Sequence, residues 1–526
     1  MSISRNLKLL LTILCVVFIV IGIGSQIYST ALSVSNYPLP TGWSESGRLF
    51  EAASIYSPLV FGKALPWPWL DPGRAILEGL VFLIPNSQIW MYRLWTGMLG
   101  LLAALFSALL IIKRIWNKTL QNRFTTKTPL FVLLVGWGIL YILQFPIQAH
   151  LLLGAIFVLW LFDLDRPIYS LIIIVIASAW EGLCRVNWFL MPAVLGITIY
   201  FLSVAVTGKN LFRYLLWPVI WTVGGTLSGF LAYGFFIKIS NYVIPFYNSN
   251  MHYGFFRNRL WPNADFNLGL IPGIILLSAP LIILILALYS RIIRRVHWIR
   301  TFVLLGILGV FFIGSTIMST RAGGGFDLHN YDSFGLILFI IGCYFGLGAV
   351  NLDKPGSSLP EPLIDNRLIV LGLLSVPLLF TLRSIPRPTN LPVQAAKNSI
   401  QQLQAIIQKT NTNKGPILFI DNRQLLVYHM IPNVELYIPY EKIELMEMAI
   451  ANNNPYLNQF WKAIQGKKFS LIVVEKLQPA KQDINLPLGY ENNAWVAGVS
   501  DPILRYYQLN YQGPGFAIYI PLPEAK

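Results

Sequence analysis

The chain has 526 residues, 55% of them hydrophobic and 12% charged, with a mean hydropathy of +0.59, which excludes both an ordinary soluble fold and a disordered chain. Its formal charge of +16 does not point to nucleic acid: the Lys and Arg residues cluster in short loops between apolar runs, where membrane topology and lipid phosphate account for them. The three cysteines, Cys15, Cys184 and Cys343, lie in or beside apolar stretches without ligand spacing, so neither a disulfide framework nor a zinc site is expected.

At the N-terminus, Arg5 and Lys8 precede an apolar run longer than the roughly 7–15 residues of a secretory h-region, and further apolar runs follow, so the segment reads as an uncleaved signal anchor. At roughly 20 apolar residues per crossing, about eleven spans are expected, centred on 9–26, 89–112, 129–143, 147–162, 168–180, 189–206, 214–236, 268–289, 301–318, 334–350 and 368–382. Cations recur in alternate loops: Lys113, Arg114, Lys118, Arg123 and Lys127, then Lys209 and Arg213, then Arg291, Arg294, Arg295 and Arg300. By the positive-inside rule those loops face the cytoplasm, with the N-terminus, which suits a bacterial inner membrane. The loop 29–88, the turn 181–188, the loops 241–267 and 319–333 and the whole C-terminus then lie outside.

After Arg383 the sequence turns polar through a Pro-rich linker. The expected division is a membrane domain over 1–383 and a small extracytoplasmic α/β domain over 384–526. Within the latter, 416–421 and 469–475 read as buried strands, the stretch through Ile443, Leu445, Met446 and Ala449 as an amphipathic helix, and 392–413 as helical.

The loop 29–88 is too long for a connector. It holds two amphipathic segments, near 47–61 and 72–83, and Pro66-Trp67-Pro68-Trp69, which reads as a headgroup-level anchor. Glu45, Arg48 and Glu51 recur at intervals of three, placing them on roughly one helical face. Carboxylates at the mouth of a membrane protein are costly unless something pairs with them or uses them.

The run Glu45-Ser46-Gly47-Arg48-Leu49-Phe50-Glu51-Ala52-Ala53 resembles the Asp-Glu-Gly-Arg-Tyr-Ala-Glu-Ala-type segment in the first outer loop of GT-C superfamily glycosyltransferases, which include protein O-mannosyltransferases and lipid A aminoarabinose transferases. The resemblance extends over the membrane part, 1–383. It implies transfer of a sugar from a polyprenyl-phosphate-linked donor to a hydroxyl of a glycan, lipid or protein acceptor on the outer face. Register from the arginine maps the catalytic carboxylate onto Glu45, which implies a general base and inversion at the anomeric carbon, with Arg48 orienting Glu51. The leading Asp is Glu here and the second acid is Ser46; a divalent metal held by both carboxylates loses a ligand, so no cofactor is assigned.

A second segment, Arg321-Ala-Gly-Gly-Gly-Phe-Asp-Leu-His-Asn-Tyr-Asp332, resembles a Gly-rich stretch ending in Asn-Tyr that some members carry before a late span. Gly323, Gly324 and Gly325 let backbone approach a ligand, and Asp327, His329, Asn330 and Asp332 offer partners to sugar hydroxyls. Arg48, Arg257, Arg259 and Arg321 are the candidates for the donor phosphate, although lipid headgroups explain Arg257 and Arg259 nearly as well. Glu181 and Arg185 are expected either to neutralise each other or to serve the site, and His150 to be a structural hydrogen-bonder. Trp67, Trp69 and Trp261 could stack on sugar faces, though interfacial anchoring is the safer account of each. No phosphate-binding, dinucleotide-binding or zinc-protease motif is present. The competing readings are a transporter or flippase of lipid-linked saccharides, which should show internal symmetry and broken spans at the midplane, and a non-catalytic membrane scaffold.

Overall fold

The computed structural model describes residues 5–119, 127–145, 147–206, 210–240, 257–320, 327–353, 366–386, 388, 390–410 and 415–523. The apolar stretches fold as helices in chain order. After α1 (Arg5–Ser33) come three short helices, α2 (Glu45–Ile55), α3 (Ser57–Phe61) and α4 (Pro72–Glu78). Then follow α5 (Ile89–Thr119), α6 (Lys127–Gln144), α7 (Ala149–Leu161), α8 (Pro167–Cys184), α9 (Met191–Ser203), α10 (Leu211–Ser240), α11 (Leu270–Ile292), α12 (Trp298–Ser319), α13 (Asp332–Gly346) and α14 (Arg367–Arg383). Among the described residues six segments are long and apolar enough to cross a membrane: Asn6–Ser33, Ile89–Trp116, Pro167–Cys184, Leu211–Ser240, Leu270–Arg295 and Trp298–Ser319. This is the build of a polytopic helical membrane protein. The other expected spans are helices too, but α7 and α9 have 13 residues each, about 20 Å at 1.5 Å per residue, short of a hydrocarbon core about 30 Å thick.

The outer surface of the bundle is apolar. Phe212, Val223, Phe230 and Phe235 on α10 and Phe302 and Val310 on α12 are 59–77% exposed, a continuous greasy face that lipid covers and water would not. Helices α8 and α10 approach until backbones touch: a Cβ on Gly182 would lie 2.2 Å from the Gly229 carbonyl oxygen, the close crossing that small residues permit. Helix α13, expected as one span among many, is enclosed by protein along all 15 residues. Its Gly335 faces the Phe145 ring and its Gly342 faces Leu281, each too close for a side chain.

At one end of the bundle Arg300, counted above among the loop cations, is fully buried. It pairs with Asp353 at 3.0 Å and donates to the carbonyls of Phe201, Leu202 and Asn351. Such a group staples helix ends and does not mark a solvated loop.

The C-terminal part begins with α15 (Val393–Lys409) and holds a four-stranded sheet of β1 (Ile417–Phe419), β2 (Leu471–Val474), β3 (Tyr507–Gly513) and β4 (Phe516–Pro521), in the order β1-β2-β4-β3. β1 and β2 are parallel; β4 runs antiparallel to β2 and β3. Side chains alternate across it. Leu418, Ile472 and Tyr519 join one core with the helices Lys442–Ile450 and Asn454–Gln465. Phe419, Val473 and Ile518 join a second with α15 and with Tyr37 and Leu39 from the segment after α1. Two covered faces explain why β1 and β2 read as unbroken apolar runs. The β3–β4 turn presses on that same segment: Gly515 has φ +79° and its missing Cβ would sit 2.7 Å from Leu39.

Candidate functional site

Arg93 opens the site. It stands near the start of α5, is 4% exposed, and donates to the carbonyls of Ser35, Tyr37 and Leu39. It thereby folds the segment after α1 around itself and receives Glu45, the first residue of α2, with Nε 2.6 Å from Oε1 and Nη2 3.2 Å from Oε2. Oε2 also accepts from the Thr41 amide and hydroxyl, whereas Oε1 takes a single bond among the described residues.

Glu45 and Glu51 do not share a face. Each step of three residues turns 300°, so over six they diverge by about 120°. Glu51 points inward, 3% exposed, and binds Arg74 of α4 at 2.6 Å; Arg74 also lies 3.6 Å from Asp71. Burial pushes the Glu51 carboxyl up to about 7 against the pull of Arg74. Replacing Arg74 by alanine strands this acid, and is expected to cost roughly 3–5 kcal/mol, read as a fall in the thermal unfolding midpoint that Glu51→Gln partly restores.

Between them Arg48 lines a cleft of about 470 Å³ together with Glu45, Glu78, Tyr92, Gln148 and His150. Arg48 has no ion-pair partner among the described residues. Burial and the neighbouring Arg74 push its guanidinium below the ordinary value, and Glu78 and Glu51 pull the other way. Glu78 accepts from the Tyr92 hydroxyl at 2.8 Å. His150, read as a structural hydrogen-bonder, leaves Nε2 buried without a partner among the described residues. The long wall is Thr96, Gly97 and Gly100 of α5.

The other expected site residues are placed differently. Asn330 and Asp332 are buried and engaged: Arg185 donates to Asn330 at 2.8 Å and pairs with Asp332 at 3.4 Å, and Trp188 Nε1 donates to Asp332 at 3.0 Å. They lock the head of α13 and are not displayed to sugar hydroxyls. Arg185 thus turns to Asp332 and not to Glu181, which is buried against Gly154. Asp327 accepts from the His329 amide and contacts its ring, a local pair. Arg259 is 3% exposed between Asp265 at 3.2 Å and Glu491 at 2.8 Å, so it ties the 257–269 segment to the C-terminal part in place of a phosphate. Trp69 packs on the core of the C-terminal part. Arg321, Gly323, Gly324 and Gly325 lie outside the described residues, as does the side chain of Arg257.

Ser46 has a physical reason for departing from an acid. Its Oγ accepts the Arg423 amide at 2.9 Å. The Arg423 guanidinium, buried, donates to the carbonyls of Phe419, Ile438 and Pro439 and lies 4.7 Å over the Phe50 ring. Gln424 reaches the Pro38 carbonyl at 3.1 Å. Gly47 leaves room for Glu441, whose Oε1 would sit 2.4 Å from a Cβ there. Burial first, and Glu51 next among the groups acting in that sense, push Glu441 up to about 8 against the pull of Arg423. An acid raised above its unfolded value holds its proton in the folded state, so the contribution of Glu441 to the junction's stability is fully present below about pH 4.5. That contribution is lost as pH rises through 8, and limited proteolysis of the C-terminal part should accelerate over this window in wild type and less so in Glu441→Gln.

Compared with known proteins, the chain matches no protein-family model and no curated protein. Among the described residues no group of three or more His, Cys, Asp or Glu side chains is disposed to hold a metal ion. Arg93, Arg74, Glu78 and Tyr92 went unread in the sequence. The available signal was a charge close to the head of a long apolar helix, where an ionised group implies a partner.

Proposed function

We propose that the protein is a GT-C-like membrane glycosyltransferase with about eleven spans, moving a sugar from a polyprenyl-phosphate donor to an acceptor hydroxyl on the outer face of the plasma membrane. The observation that carries the reading is Arg48: a half-buried cation without an ion-pair partner among the described residues, lining a cleft beside the Glu45 carboxylate. A partly desolvated guanidinium with no carboxylate in direct contact has donors to spare, and an anionic ligand such as a lipid phosphate satisfies them. The small residues of α5 give a polyprenyl chain a route along the wall. Glu45, Glu78, Arg93 and His150 of this cleft come from the ends of α2, α4, α5 and α7 and not from the middle of a span, which favours an enzyme over a transporter.

In the reaction, the acceptor oxygen attacks the anomeric carbon and gives its proton to Glu45. The carbon–oxygen bond to phosphate breaks, the electron pair leaves with the polyprenyl phosphate beside Arg48, and the configuration inverts. Oε1 of Glu45 accepts one hydrogen bond where a carboxylate oxygen has room for two, so it retains capacity for the proton. The test is transfer from a panel of radiolabelled polyprenyl-phosphate sugars by membranes containing the folded protein. Release of polyprenyl phosphate with label on an acceptor supports the reading; a folded wild type that turns over none of the donors overturns it in favour of a transporter or scaffold.

A further inference from the structure

A second cleft, of about 370 Å³, lies where the segment 40–43 meets the C-terminal part. Its polar wall is built from the carboxyl ends of the two parallel strands: Asp421 lies just past β1 and Glu475 directly follows β2. Ligands of α/β sheets bind at that edge, because loops there carry side chains that the sheet itself does not need. Between the two acids sits Lys442, 4% exposed, with Nζ 3.0 Å from Asp421 and 2.9 Å from Glu475. The ammonium also lies 5.1 Å from the centroid of the Trp43 ring. Trp43 borders the cleft and remains 48% exposed.

The chemistry selects a polyol. Two carboxylates are matched by two ammonium groups, Lys442 and Lys476, so the cleft does not select on net charge. It offers acceptors and donors at fixed positions beside an indole face, the combination that reads hydroxyls on one edge and C–H groups on the other. Its volume falls within the roughly 300–1,000 Å³ of small-molecule pockets. Thr41 and Gly42 line both clefts, and Trp43 precedes Glu45 by two residues, a reach of at most ~7 Å. We propose that this second cleft binds a saccharide stacked on Trp43 and that, resting on the transferase reading above, it is the acceptor subsite: the acceptor is a glycan, not a protein or a simple lipid alcohol.

The test uses the full chain in nanodiscs, free of sugar-based detergent, with maltotetraose, cellotetraose, chitotetraose and mannotetraose as probes in saturation-transfer NMR. At least one tetrasaccharide is expected to bind. Trp43→Ala should weaken that binding at least tenfold and Glu475→Gln severalfold, while Trp160→Ala, at an exposed tryptophan near the end of α7 that lines neither cleft, leaves it unchanged. No binding by folded wild type, or binding that survives Trp43→Ala, overturns the proposal. Slow hydrolysis of the donor without added acceptor, water attacking the anomeric carbon and the sugar leaving as the free hemiacetal with release of polyprenyl phosphate, reads the first cleft alone. A chain that turns over donor but binds no tetrasaccharide loses the acceptor assignment and keeps the transferase reading; one that binds a tetrasaccharide and turns over no donor keeps the saccharide site and loses its role in transfer.

Discussion

Replacing Arg48 by glutamine is expected to lower kcat/KM for a polyprenyl-phosphate sugar by about 10²–10³-fold, the usual effect of removing one preorganised group from a centre of developing charge. The loss should fall mainly on kcat, because the phosphate gains charge as the anomeric bond breaks and an interaction strengthened at that moment shows in turnover more than in KM. Stability should move the other way. Arg48 is half-buried with no ion-pair partner among the described residues, so the neutral variant is expected to unfold at an equal or higher temperature than wild type. Lower activity with undiminished stability separates a functional cation from a structural one; a variant that is both active and stable removes Arg48 from the reaction.

Replacing Glu45 by glutamine is expected to cost 10²–10⁴-fold in turnover, the ordinary contribution of a general base. The side chain keeps its shape, and Arg93 retains its hydrogen bonds to Ser35, Tyr37 and Leu39, so the chain should still fold, with a lower unfolding temperature because buried Arg93 loses its ion pair. The informative control is Glu78→Gln, in the same cleft and bonded to Tyr92. A large loss at position 45 with a small one at 78 assigns the base to Glu45; the reverse pattern transfers it to Glu78. Donor turnover in acceptor-saturated membranes, normalised to folded protein, distinguishes the two.

The apolar stretches were legible because burial in lipid leaves a compositional mark on every residue of a helix, and each of them falls on a helix. What composition could not reveal was which helix faces lipid. Helix α13 reads like any other span, yet it is sheathed by its neighbours. In the C-terminal part β1 and β2 were legible as apolar runs, while β3, with Gln508, Leu509 and Asn510 exposed, carries no such run and passed unread. At the candidate site the limit was long-range pairing. Asn330 and Asp332 look available in sequence because their partner Arg185 lies some 145 residues earlier. Arg259 looks cationic because Glu491 lies 232 residues later. Arg48, Glu45 and Glu51 were legible as a motif, but their separation into one cleft wall and two ion pairs depends on Arg93 and Arg74.

The bond from the Arg423 amide to Ser46 spans 377 residues. At about 5–20 residues per second, a ribosome needs roughly 20–75 s to travel that interval. Throughout that time the motif around Glu45 has emerged, but the element that clamps α2 has not been made. A nascent chain therefore sits in the bilayer without the clamp that holds α2 in its final setting. Completion of synthesis becomes the event that finishes the site, a timing device written into chain connectivity rather than into any regulator.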